Sequence, residues 1–221
     1  MAPNRNMRKA NPPNSTRERV PAIGKQWAET QGGVYDSMTV ALLQPYFHSD
    51  LDSHDFMWVN NWPDSSAQYK GLEVWTKDPK ANALFAKLPA KNSQVVNTTQ
   101  WTISQPSSTD VGNFIVAQYN SCKLNEGTNL RTFYDVYVDF AKMAQEKGDV
   151  QGRKLIIPGA GYDGDADFIR LVYASKVSER GEGIEFWRSE LYDTDERRAL
   201  YGLAECSNGS IYVGPVLRSP N

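Results

Sequence analysis

Histidine and cysteine are both scarce in this 221-residue chain, at two of each. Both histidines, His48 and His54, fall in one short polar stretch. No Ser-His-Asp or Cys-His arrangement is therefore proposed. No phosphate-binding loop or dinucleotide fingerprint is present: Gly159-Ala-Gly161 is too short and follows Pro158 into a turn rather than a helix. No apolar run approaches the roughly 18–20 residues of a membrane helix. A formal net charge of −2 gives no bias toward nucleic acid or an anionic membrane. The first residues, Met1 to Arg19, are rich in Asn, Pro and Arg and carry no apolar signal-peptide core. No residue is assigned as catalytic, and no cofactor or metal is implied by a motif.

What the chain does contain is an echo of itself. Gly71-Leu72-Glu73-Val74-Trp75 returns as Gly183-Ile184-Glu185-Phe186-Trp187, and Asp55-Phe56 returns at the same offset as Asp167-Phe168. We read a duplication, with residues 1–14 as a disordered lead-in, 15–104 as an incomplete first repeat, 105–112 as a Ser/Pro-rich linker and 113–221 as the second repeat.

In the first repeat, Ser15 with Glu18 forms a capping box for a helix carrying Val20, Ile23 and Trp27, which Pro21 should kink or start later. Met38–Phe47 and Phe56–Trp62 read as a hairpin, with Pro45 marking an edge or bulge. Asp78-Pro79 restarts a helix after the first Gly-x-Glu-x-Trp, and 95–103 is a strand. The second repeat runs strand 113–122, a long helix capped by Thr128, a hairpin of 153–160 and 167–174, a helix with the second Gly-x-Glu-x-Trp, a segment capped by Asp193 with Glu196, and strand 209–217.

The second repeat is thus β-α-β-β-α-β, the ferredoxin-like pattern. With the duplication and the run from Asp167 to Trp187, the chain resembles the dimeric α+β barrel superfamily, which includes antibiotic-biosynthesis monooxygenases, NIPSNAP-like proteins and several bacterial families. The resemblance implies an α+β fold of tandem ferredoxin-like repeats. Their antiparallel sheets would pack as an intramolecular barrel, with the first copy lacking its first strand. The missing strand would fall before Met1, which suggests a truncated or atypical start. Localisation follows from that start: cytoplasmic as the chain stands, periplasmic or secreted if a signal has been lost upstream.

By count alone, Cys122 and Cys206 read as two reduced thiols. The fold alters that reading. First and fourth strands of a ferredoxin-like sheet lie side by side, which should bring the two within disulfide reach, about 4.4–6.8 Å between Cα atoms. A bridge would favour an oxidising compartment.

Each candidate site has a plain alternative. His48 and His54, with Asp50, Asp52 and Asp55, form a ligand or metal candidate, or a solvated turn. Asp163, Asp165 and Asp167 resemble part of a calcium loop without its distal glutamate. Trp27, Trp58, Trp62, Trp75 and Trp101 could line a pocket or simply be core. Trp58 aligns with Arg170, so an inward-facing pair would offer an aromatic wall and a cation to a planar anionic ligand. Glu73 and Glu185 are an acid–base pair or helix-surface residues.

Three functions are open. One is a small-molecule-binding protein, with Trp58, Arg170, His48 and His54 as its ligand contacts. Another is a cofactor-independent oxygenase acting on an aromatic or polyketide-like substrate. The third is a structural protein using a free sheet edge. The expected partner is a small molecule rather than nucleic acid or a membrane, and a homo-oligomer is compatible with the sequence.

Overall fold

The computed structural model describes residues 16–49, 54–88, 94–107 and 114–220. The 1–14 lead-in, Ser15, Asp50, Asp52 and most of the 105–112 linker lie outside them. The fold is α+β: helices with one antiparallel sheet curled into a half-barrel. Among the described residues no helix is long and apolar enough to cross a membrane.

The chain divides into two compact units. The smaller comprises residues up to Ser37 and Trp62–Lys91 and is helical. Helix α1 (Thr16–Thr30) runs on through Pro21, where a kink or a later start was expected. Proline removes only one ladder bond here, and the stripe that buries Val20 and Trp27 outweighs it. Asp64 caps α2 (Ser65–Lys77), its carboxylate accepting from the Ala67 amide at 2.8 Å. Asp78 caps α3 (Pro79–Phe85) through the Lys80 and Ala81 amides.

An aromatic cluster holds this unit together. Trp27 meets Tyr35, Trp75 and Phe85 edge-on, at 5.6, 6.3 and 6.1 Å between ring centroids. Gly71 lies against the ring of Trp62, where a Cβ would come within 2.1 Å of Cη2. Trp27, Trp62 and Trp75 are therefore packing residues.

The larger unit, Met38–Asn61 with Asn92–Pro220, contains the whole sheet. Its strands are β1 (Thr39–Phe47), β2 (Met57–Asn61), β3 (Thr98–Ser104), β4 (Phe114–Leu124), β5 (Gly152–Pro158), β6 (Phe168–Ala174), β7 (Ala204–Cys206) and β8 (Ser210–Arg218). The order is β2-β1-β8-β4-β6-β5-β3, with the short β7 also paired to β4. Its inner four, β8-β4-β6-β5, have the ferredoxin-like order. The pairing of β1 with β8 shifts register between Pro45 and Phe47, at the position where proline cannot donate to the ladder. The expected missing first strand falls on residues outside the described ones.

Three helices accompany the sheet: α4 (Leu130–Glu146), α5 (Val177–Phe186) and α6 (Asp195–Tyr201). Expected caps move by one residue. Asn129, not Thr128, accepts from the Thr132 amide; Thr194, not Asp193, accepts from the Arg197 amide. Trp187 lies beyond α5 in a π-helical turn, Trp187–Leu191. The helix-side core gathers Phe133, Tyr137 and Phe140 of α4 with Leu155, Phe168, Leu191 and Leu200.

Beneath α5 runs a polar chain. Arg153 and Asp149 form a buried ion pair, with side chains 4% and 1% exposed. Arg180 donates to Gln151 Oε1 at 2.7 Å and to Gln118 Oε1. Gly183 makes room for this chain, because a Cβ there would meet Gln151 Nε2 at 2.0 Å.

Candidate functional site

Successive strand residues point to opposite faces of a sheet. One face carries the helix-side core. The other gathers Ala41, Leu43, Ala117, Ile156, Leu171 and Tyr212 as a buried floor, with Met57, Val59, Tyr119, Ile169 and Tyr173 partly buried over it. We refer to this apolar second face of the curled sheet as the trough.

At one end this face is aromatic. Tyr212 is 7% exposed, and three rings meet it. His54 stacks at 5.7 Å with planes 22° apart, His48 approaches edge-on at 5.7 Å, and Tyr119 approaches edge-on at 5.6 Å. The two imidazoles are 5.4 Å apart. Burial pushes the phenols of Tyr119 and Tyr212 above their usual range, and Tyr119 is raised further by Tyr212. Both stay neutral at physiological pH.

Across the sheet lies a cation. Lys154 pairs in register with Leu171, which pairs in register with Tyr119. The three share one face on adjacent strands, so the lysine and Tyr119 Cα atoms are about 10 Å apart. The Lys154 ammonium donates to Gln100 Oε1 at 3.1 Å and lies 5.7 Å from the Tyr173 ring. Among the described residues it makes no ion pair. Burial pushes its pKa down. Tyr173 donates to Gln105 Oε1 at 3.2 Å, and burial raises its pKa as well.

Two residues singled out from the sequence do not belong to this trough. Trp58 pairs with Leu42 and alternates with Met57 and Val59, so it points to the opposite face; its indole donates to Asn60 Oδ1 at 2.8 Å. Arg170 alternates with Ile169 and Leu171 and points to the helix side, 5.1 Å from the Tyr201 ring of α6. The pair does share a face, but not the one a barrel ligand would touch. The titratable residues that do face the trough, Lys154, Tyr119, Tyr173 and Tyr212, are not singled out by any sequence motif. Their one signal was position parity on β4, β5, β6 and β8.

His48 and His54 do meet, as an aromatic end of the trough. Among the described residues no group of three or more potential ligands could hold a metal ion. In the second tip each aspartate has its own partner: Gln94 donates to Asp163 at 2.6 Å, Lys123 pairs with Asp165 at 3.7 Å, and the Leu124 amide donates to Asp167 at 2.8 Å. Glu73 and Glu185 are helix-surface residues paired with Lys77 and Arg188 at 2.7 and 2.9 Å. Cys122 and Cys206 oppose each other across β4 and β7 and are joined by a disulfide. Their Cα atoms are 4.1 Å apart, short of the expected span because they are directly opposed in the ladder.

A groove of about 380 Å³ lies elsewhere, lined by Trp101, Thr102, Arg131 and Tyr134. Its arginine is already held by Asp135 at 2.9 Å and lies 5.4 Å from the Tyr134 ring. It has no uncompensated charge to offer a ligand.

No protein-family model matches the chain, and no curated protein is similar to it. Among solved structures it is similar to a haem-binding protein from Thermus thermophilus, at 11% identity and a TM-score of 0.43, covering 91% of this chain and 80% of that one. It is also similar to a protein described as a candidate chlorite dismutase, at 14% identity and a TM-score of 0.43, covering 95% and 89%.

Proposed function

We propose that the trough binds a flat, largely apolar small molecule carrying an anionic group, with its ring toward Tyr119, Tyr212, His48 and His54 and its acid toward Lys154. The observation that carries this reading is the lysine itself. A half-buried ammonium among tyrosines and aliphatic side chains, with no carboxylate partner among the described residues, is a costly arrangement for a folded protein. An anionic ligand would supply the missing charge, and the apolar floor would supply most of the binding energy.

The experiment is a fluorescence titration with 8-anilinonaphthalene-1-sulfonate, a flat aromatic anion. Saturable binding is expected to weaken about tenfold in Lys154→Met and in Tyr212→Ala, since a desolvated charge contact is worth about 1.5–3 kcal/mol. Equal affinity in wild type and both variants would end the proposal.

The two imidazoles favour one particular member of this ligand class. Haem is flat and carries two carboxylates, and His48 or His54 could meet its iron, imidazole being a common iron ligand. Haemin titration tests this separately. A Soret shift that disappears in His48→Ala or His54→Ala supports haem. An unchanged spectrum leaves the metal-free ligand as the occupant. The Cys122–Cys206 bridge supports an oxidising compartment for this binding protein.

A further inference from the structure

On the opposite, helix-covered side of the sheet, two arginines share one tyrosine. Arg170 of β6 lies 5.1 Å from the Tyr201 ring. Arg197 of α6 lies 4.8 Å from the same ring, 4.2 Å from Tyr192 and 5.3 Å from Trp187. With both arginines within about 5 Å of a common centroid, their charges are no more than about 10 Å apart. Neither makes an ion pair among the described residues, and the Nε of each is buried with no hydrogen-bond partner.

Such an arrangement is incomplete. Aromatic faces hold a guanidinium in place but leave its fork of donors unused. Two like charges at this separation repel, and each unmatched buried donor adds a cost. The neighbouring arginines show the contrast: Arg198 pairs with Asp195 at 2.5 Å, and Arg188 with Glu185 at 2.9 Å. The patch also reaches solvent, since Tyr192 and Tyr201 are 47% and 39% exposed.

We infer that Arg170 and Arg197 form an oxyanion site, built to take a phosphate group such as that of a phosphomonoester. A tetrahedral oxyanion presents oxygens in several directions and can accept from two guanidinium forks at once. Lysine would serve less well, because a point charge neither stacks on Tyr192 and Tyr201 nor offers parallel donors. This site is independent of the trough and stands or falls without it.

The test is thermal unfolding in inorganic phosphate against chloride at constant ionic strength and pH. Wild type is expected to show a saturable rise in Tm with phosphate and none with chloride. Arg170→Gln and Arg197→Gln, checked for folding by circular dichroism, should each lose at least tenfold in phosphate affinity. If Arg197→Gln does not fold, Arg197→Lys is measured instead and should also bind about tenfold more weakly. A wild-type Tm that is the same in both salts overturns the inference. So does a phosphate effect that survives in the variants.

Discussion

His54 stacks on Tyr212, with ring centroids 5.7 Å apart and planes 22° from parallel. His48 meets the same tyrosine edge-on at 5.7 Å. Through these contacts a ring on β8 holds both ends of the connection between β1 and β2. Tyr212→Ala should therefore do two things. It should lower stability by about 3 kcal/mol, as for other buried rings truncated to alanine. It should also speed amide hydrogen exchange at His48 and His54 beyond the global loss. Exchange that rises no more there than in α4 would show that the histidines hold themselves.

Lys154 gives a pH signature. Its folded pKa lies below the ordinary 10.5 because burial disfavours the charged form. Between the folded and unfolded values the unfolded chain binds more protons, so stability rises with pH in that window. At neutral pH the lysine is a net cost. Lys154→Met is expected to be more stable than wild type at pH 7 by on the order of 1 kcal/mol. The gap should shrink as pH climbs through the folded pKa toward 10.5. Denaturant melts from neutral pH up to that value would check both the sign and the slope.

The repeated glycines make a third test. At Gly71 an added methyl would strike the Trp62 ring, and at Gly183 the Gln151 side chain. Each alanine variant should lose about 2 kcal/mol to overpacking, against a helix-propensity gain of about 1 kcal/mol. Gly181 is the control: it lies in α5 with nothing within 4 Å of its would-be Cβ. Gly181→Ala should raise Tm where the other two lower it.

For the disulfide, intact mass before and after reduction should differ by two hydrogens, and native protein should titrate no thiol. Replacing Cys122 and Cys206 together by alanine should cost about 3 kcal/mol, since the bridge closes a long loop in the unfolded chain. Two reactive thiols per chain in protein prepared under oxidising conditions would contradict the bridge.

Much of the fold was legible because local chemistry agreed with tertiary demand. Asp78-Pro79 announces a helix start, and the structure places one there. Pro45 announces a break in pairing, and the register shifts beside it. The β-α-β-β-α-β order after residue 113 could be read from periodicity alone. Facing was harder. Arg153 and Lys154 are consecutive cations on one strand; one enters a buried ion pair with Asp149, and the other enters the trough. Nothing in the sequence says which goes where, because that depends on which face of β5 meets helices. The same holds for Trp58 and Arg170: the sequence puts them on a common face and leaves open which one, and the structure places that face on the helix side. His48 and His54 were visible as a pair, whereas the ring that organises them, Tyr212, comes more than a hundred and fifty residues later. Cap positions missed by one residue, Thr128 for Asn129 and Asp193 for Thr194, because either neighbour can accept the same amide.

The sharpest measurement pairs two probes that differ in charge. Affinities of 8-anilinonaphthalene-1-sulfonate and its neutral analogue N-phenyl-1-naphthylamine are compared in wild type and Lys154→Met. Wild type should prefer the sulfonate by about tenfold, a coupling of about 1.4 kcal/mol, and Lys154→Met should bind both alike while retaining the neutral compound. A sulfonate preference that survives loss of the lysine would contradict the account.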